Sequence, residues 1–176
     1  MLITIAFLLL SIVCEWCGAS EAPGNLTSLA RVAGAEEPGE RMVVQGRVLR
    51  ADGRTPATDV VLYLYHTNAK GIYPMRGDER GNARRHGYLR GWLKTDAQGR
   101  YRIESIRPGG YPGRRDPAHI HLVVKDGAQP EYWIDELVFE DDPRTAAVRG
   151  RPGFSIVTLT LRDGVWKGEK DIRLPK

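Results

Sequence analysis

Apolar and polar residues alternate in short runs from Met42 onward, at a period of two that suits half-buried strands better than helices. Residues 43–49 alternate, residues 60–65 are rich in β-branched and aromatic side chains, and residues 101–106 alternate again. Between these runs, Ala51-Asp52-Gly53-Arg54 and Asp96-Ala97-Gln98-Gly99 carry the Asp/Gly chemistry of tight turns. Residues 119–124, 133–139 and 154–161 continue the series, and Arg162-Asp163-Gly164-Val165 reads as a late hairpin. With neither a convincing amphipathic helix nor an internal repeat, the pattern predicts an all-β fold, an antiparallel β-sandwich.

The amino-terminal residues break this pattern. Residues 2–13 are almost wholly apolar, the length of a signal-peptide core and too short to span a bilayer, and Cys17-Gly18-Ala19 supplies small residues for cleavage. The expectation is a signal peptide over 1–19, an arm or linker over 20–41 that packs on a partner subunit, and one domain over 42–176. The protein is then exported, secreted or periplasmic, with no stable membrane insertion after cleavage. Both cysteines, Cys14 and Cys17, fall in this leader, so the remainder has neither disulfide nor thiol chemistry. A chain of 176 residues with 26 basic and 22 acidic side chains has the size and balance of one globular domain. The Arg-rich residues 76–90 lack the interleaved aromatics of a stacking surface. They read as a solvated active-site loop whose charge would attract anionic aromatic acids or acidic polymers, not as a nucleic-acid patch.

Chemistry concentrates at His119-Ile120-His121. On an extended strand, side chains two apart share a face at roughly 7 Å between Cα atoms, so both imidazoles can converge on one ion while Ile120 faces packing. His66 and His86 stand alone, and Tyr111, in the preceding Gly-Tyr-Pro turn, is the nearest further donor. A tyrosinate at neutral pH calls for a strongly acidic cation, which argues for ferric iron over zinc or magnesium.

Pro108-Gly109-Gly110-Tyr111-Pro112, Pro117-Ala118-His119-Ile120-His121 and the upstream Asn68-Ala69-Lys70-Gly71-Ile72-Tyr73 together resemble the intradiol ring-cleavage dioxygenases, the protocatechuate 3,4-dioxygenase and catechol 1,2-dioxygenase group. The resemblance runs from about Gly46 to Pro143. It implies a non-haem Fe(3+) held by Tyr73, Tyr111, His119 and His121. It also implies O2 and a catechol- or protocatechuate-type aromatic as substrates, opened to a muconate-type diacid, with Tyr111 accepting a substrate proton. Members commonly assemble through sandwich edges, so a homo-oligomer is an open expectation.

Two positions depart from the family pattern. Where the family carries Arg before Pro-Ala-His-Ile-His, this chain has Asp116, leaving Arg114 or Arg115 to support charge on the substrate. Where the family carries a supporting Gln, this chain has Glu136, either a carboxylate behind the histidines or an ordinary strand-end residue. Tyr63, Tyr65, Tyr101, Trp133 and Phe139 read as core, whereas Tyr88 and Trp92 are placed near an aromatic pocket. Two rivals share these residues. The strand pattern also resembles transthyretin-like or carboxypeptidase-regulatory binding modules, and His119, His121 and Asp126 loosely imitate a cupin-type metal set.

Overall fold

The computed structural model describes residues 18–176. Most of the expected leader therefore lies outside the described residues. Gly18 and Ala19, assigned to it above, are built into the domain: the Trp92 indole N–H donates to Gly18 O at 2.6 Å, and the Ala19 and Ser20 amides donate to the Glu131 carboxylate.

The strands, in chain order, are β1 (Leu29–Arg31), β2 (Arg41–Leu49), β3 (Val61–Tyr65), β4 (Arg90–Lys94), β5 (Arg100–Ile106) and β6 (His119–Lys125). They continue with β7 (Tyr132–Trp133), β8 (Glu136–Phe139), β9 (Phe154–Val157), β10 (Leu159–Arg162), β11 (Val165–Glu169) and β12 (Ile172–Arg173). One sheet runs β1-β5-β2-β11-β10 with β12 on β2, and the other β4-β3-β6-β8-β9 with β7 on β6. The expected sandwich is therefore formed, antiparallel in β2/β5, β3/β4 and β3/β6. Parallel pairings join β1 to β5, β8 to β9, and β11 and β12 to β2.

Four expectations change. Part of the supposed arm is β1, hydrogen-bonded to β5 of the same chain with Ala30 buried. The run 133–139 splits into β7 and β8, and the run 154–161 crosses between sheets, giving β9 in one and β10 in the other. Arg90, at the end of the Arg-rich run, opens β4. The late hairpin forms as expected, with Asp163 and Gly164 at φ 52° and 75°, the left-handed pair that a tight two-residue turn demands.

The core lies between the sheets, with Val44, Ile103, Leu62, Leu64, Ile120, Leu122, Val124 and Phe139 in one cluster. Period two then sends the alternate residues of β3 and β6 to the far side. Tyr63 pairs with Val123 and Tyr65 with His121 in register. That outer face is roofed by the connection between β3 and β4, including one helical turn, α1 (Ala83–His86). Ile120, fully buried between the two histidines, anchors their strand. Ile120→Ala is expected to cost about 2–5 kcal/mol of unfolding free energy, measured by urea denaturation, since it removes transfer energy and leaves a cavity.

Candidate metal centre

Two tyrosine turns meet backbone to backbone. Asn68 Oδ1 accepts from the Lys70 and Ile72 amides, an Asx-type turn that folds the chain back before Tyr73. Gly71 sits at φ 78°, and a Cβ there would lie 2.1 Å from Gly110 O. Gly109 meets the other loop as closely: a Cβ would lie 2.5 Å from Ala69 O, while its amide donates to Asn68 O. Only hydrogen at both positions lets the loops approach this far. The approach brings Tyr73 Oη and Tyr111 Oη to 2.5 Å.

The histidines reach the same point from β6. His119 Nε2 and His121 Nε2 are 3.1 Å apart, Tyr111 Oη is 3.2 Å and 3.1 Å from them, and Tyr73 Oη is 2.9 Å from His121 Nε2. The strand is fixed from behind, where Asp142 Oδ2 accepts from the Ala118 amide at 2.8 Å. His119 Nδ1 lies 2.7 Å from Pro117 O, which can only accept, so Nδ1 carries the ring proton and Nε2 presents a lone pair. His121 Nδ1 lies 2.8 Å from Glu136 Oε1, an ion-pair separation without aligned hydrogen-bond geometry. The carboxylate favours the proton on Nδ1, leaving the His121 Nε2 lone pair also turned inward.

Four lone-pair atoms thus converge. Two phenol protons can serve one nitrogen each, but the oxygens then face each other at 2.5 Å with no proton between them. A cation relieves every one of these contacts. Burial pushes the Tyr73 phenol far above its ordinary pKa, reinforced by Tyr111, and burial raises Tyr111 too. Phenols so placed ionise only toward a strongly acidic ion, and two imidazoles with two phenolates suit Fe(3+). Burial lowers the affinity of His119 for a second proton, which keeps its lone pair free. Burial alone would raise the Glu136 carboxyl, but contact with His121 and the fields of both imidazoles outweigh it and hold it below the ordinary value.

A cleft of about 610 Å³ opens over these atoms, walled by Tyr65, Trp133 and Phe154, with Arg85, Arg114 and Asp116 also lining it. The structure therefore brings together Tyr73, Tyr111, His119, His121 and Glu136. Of the two arginines considered, Arg114 lines the cleft, its guanidinium 5.3 Å from the Tyr111 ring centroid and 3.0 Å from Asp116. Arg115 is exposed and outside the lining. Tyr65 and Trp133, read as core, belong to the cleft wall, Trp133 being 41% exposed. Tyr88 and Trp92 do not: Trp92 packs on Tyr63, and Tyr88 lies against Leu89 and Ile106. Asp126 is paired with Arg50 and stands outside the lining, so no cupin-type set forms. His86 and Arg85 were missed as individuals, although the Arg-rich loop holding them was read as active-site loop.

The family model described as Dioxygenase matches residues 18–148. The chain is 33% identical over 121 residues to the protocatechuate 3,4-dioxygenase beta chain of Burkholderia cepacia, covering 65% of this chain and 51% of that one. It is 31% identical over 151 residues to catechol 1,2-dioxygenase 2 of Acinetobacter lwoffii, covering 68% and 52%. It thus spans about half the length of these curated relatives. Among solved structures, the dioxygenase domain of a dioxygenase–carbohydrate-binding fusion from Streptomyces sp. SirexAA-E superposes with a TM-score of 0.67 at 24% identity, covering 86% of this chain and 90% of that one. The intradiol ring-cleavage dioxygenase of Tetranychus urticae gives 0.62 at 16% identity, covering 86% and 88%. At such identities these two likenesses speak to the fold.

Proposed function

The chain belongs to the intradiol ring-cleavage dioxygenase family, and we propose that it holds one non-haem Fe(3+) and cleaves a catechol-type aromatic with O2 to a muconate-type diacid. The observation that carries this reading is the convergence of Tyr73, Tyr111, His119 and His121 on one point at the floor of an aromatic-walled cleft. These four residues would hold the ion. Bound there, iron would supply the Lewis acidity that ionises the phenols and makes a chelated catecholate reactive toward dioxygen.

The protein's own part is positional and protonic. Pro117 O and Glu136 turn both Nε2 atoms inward, so the donor set is organised before anything binds. Tyr111, beneath Arg114 at the cleft wall, takes a proton from the incoming diol. Tyr65, Trp133 and Phe154 give the cleft an apolar wall that suits an aromatic ring. The ring opens between its two hydroxyl-bearing carbons. Both oxygen atoms of O2 enter the diacid and no external reductant is consumed.

The test is a visible spectrum and iron analysis of the aerobically purified protein, followed by catechol in 18O-labelled dioxygen. A reddish charge-transfer band, about one iron per chain and two labelled oxygens in the product are expected. A protein that stays colourless after ferric reconstitution overturns the reading.

A further inference from the structure

His86 contributes to the cleft wall and is only 2% exposed. Its ring lies flat on Tyr65, 3.6 Å between centroids and 2° between planes, and Tyr65 in turn stacks on His121 at 4.5 Å. End to end, these separations put the His86 ring at most about 8 Å from that of His121. His86 is not grouped with His119, His121 and Glu136 as a possible ion ligand, but it lines the same cleft.

The imidazole is held from behind. His86 Nδ1 lies 2.7 Å from Tyr63 Oη. The Arg90 guanidinium acts electrostatically on the Tyr63 phenol, and Arg90 Nη1 donates to Glu21 Oε2 at 2.5 Å. Beside a cationic guanidinium the Tyr63 oxygen turns its lone pairs toward Arg90, which favours sending its own proton to His86 Nδ1. The neutral ring then carries its proton on Nε2, and burial, which drives the His86 pKa down to about 4, keeps it neutral. That Nε2–H is buried and meets no hydrogen-bond acceptor among the described residues. Buried donors are rarely left unmatched, because the loss of hydration is not repaid. The chain Glu21-Arg90-Tyr63-His86 orients a donor at the cleft wall and supplies no acceptor for it.

We propose that His86 is a substrate-positioning residue, its Nε2–H donating to an oxygen substituent on the ring of the bound catechol. This rests on the ring-cleavage reading above. Chelation through both hydroxyls turns the other ring positions outward from the metal donors, so the acceptor is a substituent oxygen, as of a carboxylate or a third hydroxyl. A ligand of this kind removes the orphaned donor, whereas an alkyl-substituted ring leaves it buried and unpaired.

The experiment is anaerobic optical titration of the iron-loaded protein with 3,4-dihydroxybenzoate and benzene-1,2,4-triol, and with 4-methylcatechol and catechol as ligands lacking the acceptor. His86→Phe keeps a flat ring on Tyr65 and removes the donor, while His86→Gln keeps an N–H. The expected result is a loss of about tenfold in affinity for the first pair in His86→Phe, less than about twofold for the second pair, and recovery of most of the difference in His86→Gln. Equal weakening of all four ligands, or of none, overturns the proposal and leaves His86 a packing residue. Should His86→Phe fail to fold, wild-type protein that binds the first pair no more tightly than 4-methylcatechol overturns it as well. Iron-loaded wild type that gives no catechol-induced band with any ligand overturns the ring-cleavage reading itself.

Discussion

His119→Ala and His121→Ala each leave the protein essentially without iron after purification and dialysis. Each removes one of two inward-facing nitrogen lone pairs and leaves three donors where four converge. Loss of an outer hydrogen-bond partner alone costs about 10–100-fold in metal affinity, and deleting the ligand itself costs more. The two variants differ in stability. His119 is 7% exposed and tied to Pro117 O, so its truncation leaves a buried gap and an unmatched carbonyl, whereas His121 is only partly buried and has no backbone tie. Iron analysis and thermal melts of the three proteins check both points: both variants lose metal, and His119→Ala melts lower. Retention of stoichiometric iron by either variant would place the ion elsewhere.

Tyr73→Phe and Tyr111→Phe are expected to separate colour from turnover. Each phenolate contributes to the charge-transfer band, so each variant is paler and the double variant has no tyrosinate band. On the proposed reading Tyr111 also takes a substrate proton, and general-base contributions of this kind are worth about 10²–10⁴-fold in rate. Tyr111→Phe therefore loses at least about 100-fold in kcat with iron retained. Tyr73→Phe loses activity in proportion to its iron. An unchanged band in the double variant sinks tyrosinate ligation. An unchanged kcat in Tyr111→Phe removes only the proton-transfer role.

Much of the centre was legible in the chain because its parts are local. The i, i+2 spacing of His119 and His121 fixes one face of a strand wherever that strand lies. Asn68, Gly71, Gly109 and Gly110 betray turns through their own backbone preferences, and each turn carries one tyrosine. Glu136 remained undecided, since a strand-end carboxylate and a histidine partner look alike in sequence; the separation of 2.8 Å from His121 Nδ1 distinguishes them. Arg114 and Arg115 were interchangeable for the same reason, until the turn placed one guanidinium over Tyr111 and left the other outside the cleft lining.

The cleft wall was not legible. Alternation assigns Tyr63 and Tyr65 to one face of β3, but it cannot say whether that face meets the second sheet or a covering loop. Here the second sheet takes Leu62 and Leu64, and the loop between β3 and β4 covers the tyrosines, turning Tyr65 from core into wall. Local preference likewise gave 154–161 as one strand, whereas pairing with β8 and then β11 divides it between sheets.

The sequence by itself therefore determined the strand-and-turn pattern, the sandwich class and the pairing of His119 with His121, because periodicity and backbone preference act within a few residues, whereas the full set of four donors came from the family resemblance. Only the tertiary structure decided that the phenol oxygens and imidazole nitrogens of positions 73, 111, 119 and 121 meet at one point, and which side chains wall the space above them. Those outcomes depend on strand register and on loops touching across tens of residues, where many arrangements satisfy the same local rules and packing selects one.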